Sequence, residues 1–349
     1  MLPDFLDLET ADLEALVAEL DLPEFRAKQL KEGQFRAISS FDELTNLPKK
    51  LRAYLNEHYF PGLPEIQNKL ISDDGLSQKL VLAYPDGEVI EAVIMEQSYG
   101  HSLCLSSQVG CTMGCRFCAS TGLAKARNLS RGELLGQFLL AEQLIAPAKI
   151  TNLDLMGIGE PLDNYDEVLA FIRRLVDPDH RNFSARKICL STCGLVPQIK
   201  RLAKEGLPLT LTISLHAPWQ ELRSEIMPIS RAYPLNELME AANYYFEQTG
   251  RRVSFEYALF AGVNDSPEAA RALAQLLHGL NCHVNLIPAN PVPGTDFQSV
   301  GREGAEKFLA ILTHKGINAT LRRSFGKDIQ AACGQLRRSS LLEDQGYWC

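Results

Sequence analysis

From residue 101 onward, short β-rich runs alternate with amphipathic helix-forming stretches, and this alternation constrains the fold more than any other feature. The β-rich runs fall at 103–105, 152–156, 187–191, 209–215, 253–259 and 283–287. Helix-forming sequence follows each of them, the first helix being opened by a capping box from Ser130 to Glu133. Strands alternating with helices must lie parallel, because each crossover carries the chain back to the same end of the sheet. Six such units predict an α/β fold, a partial (β/α)6 barrel, with functional residues at the carboxyl ends of its strands.

The flanking sequence reads differently. Leu13, Leu16, Val17 and Leu20 fall at i, i+3, i+4 and i+7, and Leu51, Tyr54 and Leu55 repeat the spacing, so a small helical module is expected over 1–65. Pro61, Gly62 and Pro64 close it. Two β-rich runs between Lys79 and Met95 flank Tyr84-Pro85-Asp86-Gly87, in which Pro presets one dihedral and Gly accepts positive φ. A hairpin linker region is therefore expected over 66–100, the barrel over 101–340, and a tail over 341–349.

Several function classes are excluded at this level. No stretch approaches the ~18 consecutive apolar residues of a membrane span, and MLPDFLDLET lacks a signal-peptide pattern, so no membrane association and a cytoplasmic location are expected. A net charge of −8 argues against a chain coated for non-specific nucleic-acid binding. Any RNA contact must use local basic patches, for which Lys49, Lys50 and Arg52, Arg251 and Arg252, Arg322 and Arg323, and Arg337 and Arg338 are the candidates. Nine cysteines in such a chain point to metal binding or thiol chemistry rather than a disulfide framework.

Cys111, Cys115 and Cys118 form a CxxxCxxC run in the loop after the first barrel strand. Three soft thiolates on one short loop can hold three irons of a [4Fe–4S] cube and leave the fourth iron open, whereas structural zinc wants a closed shell of four ligands. Zinc, or thiols that bind nothing, are the competing readings. This arrangement resembles the radical S-adenosylmethionine (SAM) superfamily, in which the open iron chelates SAM and an electron from the cluster splits its sulfonium to give a 5′-deoxyadenosyl radical. Met156-Gly157-Ile158-Gly159-Glu160-Pro161 after the second strand resembles the Gly-Gly-Glu-Pro-like turn of that superfamily. The resemblance implies that the Glu160 carboxylate takes the SAM ammonium; glycines there would permit close backbone approach to a ligand.

The likeness tightens to the RlmN/Cfr family of radical SAM methyltransferases, which methylate a carbon of an adenine base in RNA. It rests on the runs at 103–111, 191–194 (Ser-Thr-Cys-Gly), 214–216 (Ser-Leu-His), 285–291 and 328–336. The resemblance implies that Cys333 takes a methyl from one SAM and becomes S-methylcysteine, and that a second SAM yields the radical that activates this methyl. The resulting methylene radical adds to the adenine; Glu91 accepts the ring proton, and Cys104 attacks Cys333 sulfur, releasing the product with a disulfide that exchange later reduces. Adenine C2 is electrophilic and carries no acidic proton, so direct nucleophilic attack on the SAM methyl is unavailable. Gly159, Glu160, Ser191, Ser214, Leu215, His216 and Asn290 are the implied SAM contacts; Cys189, Cys193, Cys282 and Cys349 receive no role.

The implied substrates are adenosine 2503 of 23S rRNA and, in dual-specificity members, adenosine 37 of certain tRNAs. A reductant such as flavodoxin or ferredoxin and a monomeric state are also expected. Pro161 favours the RlmN type over the C8-methylating Cfr type, which tends to carry Ala there. A radical SAM enzyme for a small molecule or peptide leaves Cys104 and Cys333 unexplained; a non-catalytic iron–sulfur or zinc protein is the third reading.

Overall fold

The computed structural model describes residues 1–121, 127–290, 292, 294–322 and 325–336. Arg323, Arg337, Arg338, Pro291, Cys349 and the expected tail lie outside the described residues. The main sheet has ten strands. In chain order they are β1 (Glu65–Ile71), β2 (Ser77–Ala83), β3 (Val89–Gln97), β4 (Gly100–Cys104), β5 (Ile150–Leu155), β6 (Ile188–Thr192), β7 (Thr210–Ser214), β8 (Val253–Leu259), β9 (Cys282–Pro288) and β10 (Ala319–Leu321). Spatial order equals chain order, as a right-handed series of crossovers requires.

β4 to β10 are parallel, and the helical runs between them (Arg131–Leu144, Tyr165–Val176, Val196–Leu202, the pair Gln220–Ile226 and Leu235–Thr249, Pro267–Leu276, and Gly301–His314) complete six β/α units of a partial barrel. The closing strand β10 was not anticipated, because three residues, half-buried or exposed, offer no periodicity to read. At 65–97 the antiparallel strands β1 to β3 continue the same sheet, and Val93 pairs with Cys104 to join them to the barrel. The Tyr84–Gly87 turn is closed by the Gly87 N–H donating to the Tyr84 carbonyl at 2.9 Å.

The amino-terminal segment forms helices Thr10–Glu19, Phe25–Gly33 and Lys49–His58 around Phe5, Leu30, Phe41 and Leu55, all essentially unexposed. It docks on Arg131–Leu144 through two glycines one helical turn apart. The Gly132 N–H donates to the Asp7 carboxylate at 2.7 Å, placing an anion at the positive end of that helix. A side chain at Gly136 would meet the Gly62 carbonyl at 2.4 Å. Gly136→Ala should therefore cost roughly 1–3 kcal/mol through overpacking against backbone. A urea unfolding curve checks this; an unchanged midpoint would mean that the docking surface yields freely.

Candidate functional site

The carboxyl ends of the seven parallel strands surround one cavity. Cys111, Cys115 and Cys118 line it from the loop after β4, and Gly159 and Glu160 from the turn after β5. Ser191 (β6), Ser214 and His216 (β7), Glu256 (β8), Asn290 (β9) and Arg322 (β10) complete the ring. Cys333 reaches in from the carboxyl-terminal segment. A second, smaller cavity abuts the first and is lined by Cys104, Asp154, Met156, Asn290, Arg322 and Cys333. Cys333 and Asn290 thus face both spaces, and the Asn290 amide donates to the Cys333 carbonyl at 3.2 Å.

The chain reaches this arrangement through a small hydrogen-bonded core. Ser106 Oγ donates to the Glu91 carbonyl at 2.6 Å and accepts from the Ile158 N–H at 2.9 Å, tying β3 and the residues after β4 to the turn after β5. A Cβ on Gly157 would lie 2.6 Å from the Leu105 carbonyl, and one on Gly159, at φ +106°, 2.6 Å from Gln108 Cβ. Both glycines line the main cavity, as expected of a ligand-facing turn, and they also admit the segment that follows β4. Glu160 is buried; its carboxylate accepts from the Leu162 N–H at 3.1 Å and the Cys193 N–H at 2.8 Å. Burial pushes its pKa up, against those hydrogen bonds.

His216 adopts φ +55°, a left-handed conformation a non-glycine residue holds only when its surroundings impose it. Here Nδ1 accepts from the Ala258 N–H at 2.9 Å, and the His216 carbonyl accepts from Asn264 Nδ2 at 2.7 Å. Nδ1 is an acceptor, so the ring is neutral with its hydrogen on Nε2, and burial, with Arg223 nearby, holds its pKa down at about 3. Below the reference value of 6.5 the unfolded chain binds a proton that the folded chain refuses. Stability is therefore lost as pH falls from about 6.5 towards 3, by about 1.4 kcal/mol per pH unit for one proton. His216→Gln should remove one proton's worth of that slope in urea titrations run between about pH 5 and 7; an identical slope would contradict the neutral buried ring.

The thiols differ in their surroundings. Burial pushes Cys111 up to about 12 and raises Cys115 and Cys118, so cluster assembly must displace three protons. Cys333 is solvent-accessible through the cavity mouth yet densely surrounded; burial raises its pKa, Arg322 pulls it down, and Glu256 and Asp154 push it up. Cys104 is buried, and its pKa is raised by burial and by Cys333 beside it.

Three residues depart from what the sequence suggests. Glu91, implied to accept the ring proton, is fully buried, pairs with Lys79 at 3.2 Å, and is absent from the linings of both cavities. Its side chain points to the same sheet face as Met95, which lines the smaller cavity. Leu215 is buried behind the cavity, and what it presents is a carbonyl that accepts from Arg223. Arg322, read as part of an RNA-contacting patch, instead pairs with buried Glu256 at 3.3 Å inside the barrel mouth. Sequence reading missed Arg223, on the helix Gln220–Ile226, and Glu256 and Asp154, on strands, because single charges carry no spacing signal. Of the cysteines without a role, Cys193 lines the main cavity, Cys189 Sγ lies 3.0 Å from Thr212 Oγ1, and Cys282 is buried.

The donor set fits a [4Fe–4S] cluster. Among the described residues no three Cys, His, Asp or Glu side chains converge as a single-ion site requires. The three thiols stand instead around a shared space, as ligands to separate corners of a cube must. Asn290 Oδ1 is buried without a hydrogen-bond partner, an acceptor available to a ligand in that space.

A partial barrel of parallel strands with a three-cysteine loop after its first strand is the architecture of the radical SAM enzymes, and a family model described as "Radical SAM superfamily" matches residues 105–274. A second, "Ribosomal RNA large subunit methyltransferase N-terminal domain", matches residues 3–60. A protein of Clostridium perfringens named "Probable dual-specificity RNA methyltransferase RlmN" is 45% identical over 338 residues, covering 96% of this chain and 97% of its own. One of Pelotomaculum thermopropionicum with the same name is 48% identical, covering 95% and 90%. The crystal structure of a radical SAM methyltransferase from Sphaerobacter thermophilus superposes with a TM-score of 0.93 at 43% identity, covering 97% of this chain and all of that one. The chain belongs to the RlmN family of radical SAM methyltransferases. Membership implies a [4Fe–4S] cluster and SAM as cofactors. No helix among the described residues is long and apolar enough to cross a membrane.

Proposed function

We propose that this protein methylates C2 of adenosine in RNA, at adenosine 2503 of 23S rRNA and at adenosine 37 of tRNAs, using two SAM molecules per turnover. The observation that carries the reading is that Cys333 faces both the cavity of the three-cysteine loop and the smaller one that holds Cys104. A methyl-carrying residue must meet SAM on one side and the resolving thiol on the other, and position 333 alone among the cysteines borders both spaces among the described residues.

When bound, the cluster held by Cys111, Cys115 and Cys118 supplies the electron for SAM cleavage. The chain's own residues do the rest. Cys333 sulfur displaces the SAM methyl as a thiolate, a form that burial disfavours and the Arg322 charge beside it partly restores. Glu160 takes the SAM ammonium, and Ser191, Ser214, His216, Asn290 and the Gly159 backbone orient the rest. Glu91, reached once its Lys79 partner shifts, accepts the adenine ring proton. Cys104 then attacks Cys333 sulfur as the sulfur–methylene bond breaks, and the released methylene takes a proton to become the product methyl. The unpaired electron passes to an external one-electron acceptor, and an external thiol or dithiol reduces the disulfide. Reaching the base edge requires that the nucleotide leave its stack. The helical segment that matches the methyltransferase N-terminal model is assigned to RNA binding, and a flavodoxin- or ferredoxin-class protein to electron supply.

Anaerobic incubation of reconstituted protein with SAM, reductant and unmodified 23S or tRNA fragments, read as methyladenosine isomers by mass spectrometry, tests the assignment. 2-Methyladenosine is expected. 8-Methyladenosine as main product would move the protein to the Cfr type, and absence of both products together with 5′-deoxyadenosine would favour a non-catalytic role.

A further inference from the structure

Arg223, on the short helix Gln220–Ile226, is fully buried without a carboxylate partner. Its Nε donates to the Leu215 carbonyl at 3.2 Å, and Nη2 to the carbonyls of Cys193 at 2.7 Å and Ser214 at 3.1 Å. Nη1 is buried with no hydrogen-bond partner, and no ion pair among the described residues includes this arginine. Cys193 and Cys115 are the groups whose ionised forms would act on it, and burial keeps both thiols neutral. A guanidinium cannot shed its proton, and burying one opposite nothing but carbonyl dipoles is costly, so a compensating anion belongs near it.

The surroundings say which anion. The helix carrying Arg223 backs the cysteine loop: the Arg116 N–H donates to the Ile226 carbonyl at 3.0 Å, and a Cβ on Gly114 would lie 3.3 Å from Pro228 Cγ. Met227, which follows the helix, lines the same cavity as the three cysteines. Loading the loop converts three neutral thiols into cluster-bound thiolates, and adding an electron deepens the negative charge. A fixed cation in a water-poor interior favours both events.

We infer that Arg223 is the built-in countercharge of the iron–sulfur site, and that its charge, beyond its hydrogen bonds, holds the cluster and eases its reduction. The inference rests on the reading that Cys111, Cys115 and Cys118 bind that cluster. It makes Arg223 a positioning residue that touches neither SAM nor RNA.

The test uses the full chain, reconstituted anaerobically with iron and sulfide, as wild type, Arg223→Lys and Arg223→Gln. Gln keeps amide donors for the carbonyls and loses the charge; Lys keeps the charge. Redox titration followed by electron paramagnetic resonance should place the Gln variant's midpoint potential below the wild type's, with less iron retained, and the Lys variant's near it. A loaded Gln variant at the wild-type potential sinks the inference alone, whereas a wild type that takes up no iron and sulfide sinks the cluster reading and this inference with it. Should the Gln variant not load, the same substitution in a Cys111→Ala, Cys115→Ala, Cys118→Ala background decides. There it should unfold at the same urea concentration as its parent or a higher one; unfolding at a clearly lower concentration would make Arg223 a carbonyl clip and overturn the proposal.

Discussion

Cys333→Ala is expected to abolish methyl transfer from SAM to RNA, by at least about 10³-fold, as loss of a covalent nucleophile does elsewhere. Its fold and cluster content should be unchanged. The segment around Cys333 is anchored without its sulfur: the Ala119 N–H donates to the Gly334 carbonyl at 2.8 Å, Ser120 Oγ to the Leu336 carbonyl at 2.8 Å, and the Ala332 N–H to Gln335 Oε1 at 3.2 Å. Removing one cavity-facing sulfur atom leaves each of these bonds in place. Cys333→Ser should fail as completely, because a hydroxyl beside Arg322 remains protonated at neutral pH where a thiol can ionise. Radiolabelled SAM and filter-bound RNA give the rate, and iron content with the visible spectrum gives the control. Methylated RNA from the Ala variant at more than a trace of the wild-type rate would remove Cys333 from the mechanism.

Cys104→Ala should behave differently, stopping after methyl delivery with RNA still attached to Cys333. Cys104 ends β4, is buried, and shares the smaller cavity with Cys333, the neighbourhood that the proposed disulfide requires. The lost sulfur should cost about 1 kcal/mol of stability, within what a chain of this size tolerates. Expected is about one covalent protein–RNA adduct per cluster-loaded molecule, visible as a band that survives denaturing electrophoresis and as an adduct mass on the peptide containing Cys333. Repeated turnover to free methylated RNA would show that another group, or water, resolves the intermediate.

The two outcomes separate the roles of two thiols with similar electrostatics. Burial raises both, Asp154 and Arg322 act on each in opposite directions, and Cys333 further raises Cys104 as Glu256 does Cys333. What distinguishes them is placement, Cys333 bordering both spaces and Cys104 only the inner one among the described residues. Glu91 shows the limit of placement read from sequence spacing. It lies near the inner cavity but is bound to Lys79, whose ammonium also reaches towards the Gln330 carbonyl at 3.5 Å. A proton-acceptor role for it thus requires movement of the segment that carries Cys333.

Much of the fold was legible in the residues because local pattern and global architecture agree. Six β-rich runs and their helices sit where the alternation put them, and the capping box of Ser130 and Glu133 closes in both directions. Motifs of adjacent residues were equally readable: three cysteines in eight positions must share a space, and a Gly-Glu-Pro turn after a strand must face the barrel mouth. Such features are fixed by chain connectivity, which sequence displays directly. Tertiary structure alone decided what depends on distant segments meeting. It set the segment that follows β4 against the glycines at 157 and 159. It turned Arg322 from the surface into the barrel against Glu256, and left Arg223 buried behind the cysteine loop with its charge unmatched by any carboxylate among the described residues. A charged residue carries no mark of its future partner, because that partner is chosen by packing across the sheet and not by spacing along the chain.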